Sequence, residues 1–172
     1  MCEVVKMGKL LVLSIDSEQY TNLCIDVVES EEEALSVLIK REKDSGREGL
    51  AINTIKNRDA TWIEITDDSD EHNIYFLTAK VVDMPSEQYA LIWWHAYDGV
   101  GFKVICCSDD EETVKMELDS YVRSNWDDEL YSYEDYEEGD SSAIAENNGN
   151  KECEMLKVFN LKEVLSGNYM VF

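Results

Sequence analysis

Histidine is nearly absent from this chain, with His72 and His95 the only two among 172 residues. A metalloenzyme built on imidazole ligands needs more than that, so no metal or cofactor site is expected. Phosphate-cradling signatures are missing as well. There is no Walker A pattern and no GxGxxG, because Asp98-Gly99-Val100-Gly101 reads as a hairpin turn with no helix directly after it. The five cysteines, Cys2, Cys24, Cys106, Cys107 and Cys153, form no CxxC pair, and their number is odd. As neighbours on a strand, Cys106 and Cys107 point to opposite faces and cannot share a metal, so the thiols read as reduced, small core residues. No apolar run approaches membrane-spanning length, and the N-terminal MCEVVKMGKLLVLSID interrupts its apolar residues with acid and lysine, unlike a signal peptide. A soluble, cytoplasmic protein without membrane contact is the expectation.

Positive charge is in short supply too. Fifteen Lys and Arg face 38 Asp and Glu, giving a formal net charge of −23 and a pI near 4.2. Bases so few and scattered cannot assemble the basic patch that phosphate neutralisation requires, which argues against direct nucleic-acid binding. What is present suffices to fold: 44% of residues are hydrophobic, with four Trp and nine Tyr. One domain spanning residues 1–172 is the default for that length.

The most apolar stretch, YALIWWHAY, alternates Tyr89, Leu91, Trp93, His95 and Tyr97 against Ala90, Ile92, Trp94 and Ala96, with bulk on both faces as in a central strand. Asp98 and Gly99 turn the chain, residues 102–107 return as its partner, and Trp93, Trp94, Phe102 and Val104 should anchor the core. Ser108 with Glu111 forms a capping box that predicts a helix from Asp109. Upstream, residues 9–15 and 23–28 read as strands, and Ser30 with Glu33 caps a helix over 31–43 striped by Ala34, Leu35, Leu38 and Ile39. Residues 46–59 are polar, though Leu50, Ala51, Ile52 and Ile55 should bury. Segments 61–66, 74–83, 89–97 and 101–107 predict an antiparallel meander of four. Asn160 with Glu163 marks a short third helix that Gly167 would stop, and residues 169–172 an edge strand. The tetrapeptide SEQY at 17–20 and again at 86–89 suggests a β-turn-β-cap-helix module used twice, the second copy carrying the Asp98-Gly99 hairpin as an insertion. The fold class predicted is α+β: an antiparallel meander sheet of about six strands, two main helices on one face, and a short C-terminal helix and strand.

Two catalytic or metal arrangements fail on inspection. The acidic stretch 67–72 lacks the turn glycine of a calcium loop, and the twelfth position falls on Thr78 or Ala79 where a bidentate Glu is required. His95 with Cys106 or Cys107 has no third residue to orient it, and both strands are apolar. No catalytic residue is expected.

Charge is then the informative feature. Residues 109–140 hold fourteen acids and two bases, a balance of −12, which is over half the net charge in under a fifth of the chain. Within 126–150, an acidic segment containing tyrosines passes at residue 141 into a polar stretch expected to be a mobile loop. Carboxylates at a density comparable to that of duplex phosphates can occupy a basic groove with steered, fast association, and interleaved aromatics would fix the register. The candidate partner-binding residues are Asp109, Asp110, Glu111, Glu112, Trp126, Asp127, Asp128, Glu129, Tyr131, Tyr133, Glu134, Asp135, Tyr136, Glu137, Glu138 and Asp140. In composition this stretch resembles the acidic DNA-mimic inhibitors of phages and mobile elements, of the anti-restriction and anti-CRISPR type. That resemblance implies a non-catalytic protein that blocks the nucleic-acid channel of a basic, nucleic-acid-binding host nuclease, acting in the host cytoplasm. The alternatives are a binding, regulatory or immunity-type domain whose acidic face only solubilises, and an enzyme of unrecognised class.

Overall fold

The computed structural model describes residues 8–16, 22–44, 51–56, 60–67, 75–97, 99–127, 129, 131–132, 136–149 and 153–165. They fall into two compact units, one up to Met84 and one from Pro85 onward.

The first unit runs β1 (Leu10–Asp16), β2 (Cys24–Val28), α1 (Glu31–Asp44), β3 (Ala51–Lys56), β4 (Thr61–Asp67) and β5 (Tyr75–Asp83). Its strands form one antiparallel sheet in the order β2-β1-β5-β4-β3. Ser30 starts α1 as the sequence predicts: its hydroxyl accepts the Glu33 N–H at 3.1 Å, while the Glu33 carboxylate accepts the Glu29 N–H at 2.7 Å. Ala34 and Leu38 then lie one turn apart and bury against Val12, Val28, Ile63, Ile65, Leu77, Ala79 and Val81. Full burial of a side chain such as Leu38 contributes about 1.5–3 kcal/mol.

The second unit runs β6 (Tyr89–Tyr97), β7 (Gly99–Ser108), α2 (Glu111–Asn125), β8 (Tyr131–Ser132), β9 (Ser142–Asn147), β10 (Cys153–Asn160) and α3 (Leu161–Leu165). Its sheet order is β7-β6-β10-β9-β8, again antiparallel. Val114, Leu118 and Val122 of α2 pack on Leu91, Leu156 and Val158, and the small Ala143 and Ala145 of β9 complete the contact. Element for element the two sheets have the same topology: a hairpin, a helix and a three-stranded meander whose last strand pairs with the first. A module is thus used twice, but its alignment differs from the one SEQY suggests. The β6–β7 hairpin is the counterpart of β1–β2 and not an insertion. The second SEQY leads into β6, the first strand of its unit, whereas residues 17–20, which lie outside the described residues, follow β1 in the chain, so the tetrapeptides are not equivalent.

Several expectations are corrected. The four-strand meander is split, because β5 pairs with β1 and β6 with β10. A turn-by-turn reading sees only sequence neighbours, whereas here each unit's first strand takes the free edge of its last. Instead of one six-stranded sheet with both helices on a face, there are two five-stranded sheets with one long helix each. Residues 51–56, a polar stretch in which Ala51, Ile52 and Ile55 are expected to bury, form the edge strand β3 with all three exposed, Ile52 by 40% and Ile55 by 52%; Leu50 lies outside the described residues. The polar stretch after residue 141 is β9, paired with β10 from Ser142 to Glu146, and its alternating Ala143 and Ala145 are the buried face. Trp94 and Phe102 are core, but Trp93 and Val104 are only half-buried. A bulge opposite Leu91 and Ile92 shifts the register of β7 and leaves Ile105 as the extra residue. Helix α2 begins at Glu111 with Asp110, not Ser108, as N-cap. Asp98, Gly167 and residues 169–172 lie outside the described residues.

Candidate interaction site on the second unit

Among the described residues, the acids of 109–140 lie mostly at the start of α2 and on the segment that follows its last turns, with Glu117 between. At its start, β7 continues through Ser108, whose hydroxyl takes the Asp110 N–H at 3.1 Å. The cap therefore moves two residues on. Asp110 accepts the Thr113 N–H at 3.1 Å and the Thr113 hydroxyl at 2.5 Å, and these bonds hold its carboxyl below the usual carboxylate range. Asp109 accepts the Gln88 N–H at 3.0 Å. Glu111 and Glu112 both reach Lys115 at 3.2 Å, raising the lysine above its ordinary value. All of these carboxylates sit where the positive end of the helix favours them.

At the far end of α2, residues 136–140 lie as a strap over the last turns of the helix. Asp119, only 5% exposed, stands in the buried stripe beside Leu118 and Val122. One of its oxygens, Oδ1, accepts both the Tyr136 hydroxyl and the Gly139 N–H, the latter at 3.1 Å. Burial, then the bond to Asp119 and its charge, push the Tyr136 phenol well above its usual range. Gly139 adopts φ 94°, a conformation that favours glycine, and so turns the strap to bring its N–H to Asp119. Arg123 closes the strap onto Glu138 at 2.8 Å, and the Asp140 carboxylate accepts the Glu137 N–H at 2.9 Å. From Glu112 to Arg123, which holds Glu138, the helix rises about 16 Å at 1.5 Å per residue. Between these acids the exposed surface of the helix is mostly neutral, with Met116, Ser120 and Ser124 beside Glu117.

The aromatic residues of this region turn inward. Trp126, 3% exposed, donates its indole N–H to Glu154 Oε2 at 3.1 Å, and Trp93 donates to the same oxygen at 2.8 Å. Tyr131 donates its hydroxyl to Glu154 Oε1 at 2.8 Å, and its ring lies 6.2 Å from that of Trp126.

Of the residues singled out from sequence, Asp109, Asp110, Glu112, Asp127, Glu129, Glu137 and Glu138 are exposed, and Glu111 and Asp140 are partly so. Trp126 is core, and Tyr131 and Tyr136 are half-buried with their hydroxyls engaged on Glu154 and Asp119. Of the four expected aromatic anchors, Trp126, Tyr131 and Tyr136 are therefore used to tie the segment down. Asp128, Tyr133, Glu134 and Asp135 lie outside the described residues. Sequence reasoning missed Asp119 and Glu154 as organising residues. The signal was present in both cases: each is a carboxylate at a position where the periodicity of its element calls for an apolar residue.

Among the described residues no cluster of His, Cys, Asp and Glu is arranged to hold a metal ion, and no helix is long and apolar enough to cross a membrane. The molecule is thus an α+β protein of two like units, the second of which carries acids at both ends of its long helix. Comparison with protein-family models, with curated proteins and with solved structures finds no match to the chain.

Proposed function

We propose that this is a non-catalytic binding protein that docks the acidic side of its second unit on a basic, nucleic-acid-binding protein and so competes with nucleic acid for that surface. The observation that carries the proposal is the anchoring of the acids. The strap 136–140 is bonded to α2 through Asp119 and Arg123, and the N-terminal acids are bonded into the helix cap. Carboxylates held in place lose little freedom on binding, unlike those of a flexible solubilising tail. Within residues 109–140, only Lys115 and Arg123 offset them.

The docking surface consists of two acidic groups on either side of a neutral stretch, which suits a groove with two basic walls better than a continuous basic track. Capture of partners from a bacterial lysate at about 0.15 M salt tests this, because exposed charges are screened over about 8 Å there and over about 3 Å at 1 M. The expected partner elutes as salt rises, is displaced by duplex DNA, and fails to bind a variant combining Glu112→Lys, Glu117→Lys, Glu129→Lys and Glu137→Lys. A partner that binds this variant with undiminished affinity would overturn the proposal.

A further inference from the structure

Glu154 is out of place by the logic of its strand. On β10 it shares the helix-facing side with Leu156 and Val158. Counting from the paired residues Leu91 and Val158 in the second unit, and Val12 and Val81 in the first, the position of Glu154 corresponds to that of Leu77, which is 2% exposed in an apolar core. One unit thus has a leucine where the other has a carboxylate.

The groups around that carboxylate orient it without neutralising it. Trp93, Trp126 and Tyr131 are neutral donors, and among the described residues no basic side chain forms an ion pair with Glu154. Three of the four acceptor positions of the carboxylate are taken, leaving one on Oε1 among the described residues. Half-exposed rings flank it. Tyr131 and Trp93 touch it directly, Tyr121 is near enough that its phenol is pushed up by burial and then by the Glu154 charge, and His95 packs on Trp93 with ring centroids 5.0 Å apart. Gly101 makes room for that pair, since a Cβ there would lie 2.5 Å from the His95 ring and 3.1 Å from Trp93. A fixed carboxylate that no described basic side chain pairs with, bordered by aromatic rings, matches the chemistry of a guanidinium, which is planar, hydrogen-bonds carboxylates and stacks on aromatic rings.

We propose that Glu154, with Trp93, Tyr121 and Tyr131, is a receptor for one arginine side chain; this rests on the reading that the second unit docks a basic protein, to which it adds one fixed contact. The exposed acids steer a basic partner, whereas the half-buried Glu154 engages a single guanidinium and is less screened by salt.

The test is a titration of the full chain with Nα-acetyl-arginine methylamide, followed through the indole N–H signals of Trp93 and Trp126 in 1H–15N spectra. Saturable shifts in the millimolar range are expected, and the neutral citrulline analogue should produce none. Glu154→Gln should weaken binding at least about tenfold, a change of about 1.4 kcal/mol. Tyr121→Leu, which removes none of the bonds to Glu154, should weaken it several-fold and guards against a Glu154 variant that does not fold. Absence of saturable shifts in the natural protein, equal shifts with citrulline, or unchanged affinity in Tyr121→Leu and Glu154→Gln would overturn the receptor. The quadruple lysine variant distinguishes the two proposals. It should lose the basic partner and still bind the arginine derivative, whereas a partner bound without any response to arginine would remove the receptor alone.

Discussion

Replacing Asp119 tests whether the acidic strap is held or merely nearby. Its Oδ1 accepts the Tyr136 hydroxyl and the Gly139 N–H from a site only 5% exposed. A hydrogen bond to a charged group contributes about 1.5–3 kcal/mol, but a strap that detaches can recover part of this from water. Asp119→Ala is therefore expected to cost about 2–4 kcal/mol in urea unfolding. Because both bonds converge on one oxygen, Asp119→Asn can keep both with its amide oxygen and lose only the charge, for about 1–2 kcal/mol. Tyr136 reports the same contact by titration. Its folded-state phenol is raised above the unfolded value of about 10, so its stabilisation is complete below that pH and is lost as pH climbs from there through the folded-state value. In Asp119→Asn the tyrosinate absorbance should appear at lower pH than in the natural protein. Hydrogen exchange at Gly139 should rise in Asp119→Ala and stay near natural in Asp119→Asn. If Asp119→Ala costs less than about 0.5 kcal/mol and leaves Gly139 protected, the strap is not held by this carboxylate.

Gly101→Ala should destabilise by about 1–3 kcal/mol through its collision with the His95 ring. Most of that should return in a Gly101→Ala/His95→Ala double variant; simple additivity in thermal melts would show the clash is not the cause. Cys107, pushed up to about 11 by burial and then by Glu87 and Cys106, should alkylate slowly in the folded protein at about pH 9 and rapidly in urea. Equal rates measured by mass spectrometry in both states would contradict the environment described for it.

The local elements were legible because each rests on a few neighbouring residues. Ser30 and Glu33 announced α1, alternation announced β6, and Asn160, whose side chain accepts the Lys162 N–H at 3.1 Å, announced α3. At α2 the sequence pointed to Ser108 as the cap, but β7 runs on through Ser108 and Asp110 caps the helix, a difference set by the length of the strand. β3 and β9 were hidden for different reasons. β3 is exposed at both of its isoleucines and has no buried face to give it a pattern, and the buried face of β9 is only two alanines wide, too small to stand out among polar neighbours. The exposed acids of the candidate site could be identified by charge. The direction in which Trp126, Tyr131 and Tyr136 point could not, since an aromatic among acids suits an interface and a core edge equally well.

By itself the sequence determined the α+β class, the helix starting at Glu31, the β6–β7 hairpin and the concentration of negative charge in residues 109–140, all set by periodicity, capping chemistry and composition within short windows. Tertiary structure decided that β5 and β6 part into separate sheets, that the hairpins rather than the SEQY tetrapeptides are the equivalent parts, and that Asp119 and Glu154 each gather donors from 17 to 61 residues away. Those outcomes depend on which strand edge or buried carboxylate is left to be satisfied once the chain has closed on itself, and contacts so far apart in sequence leave no local pattern.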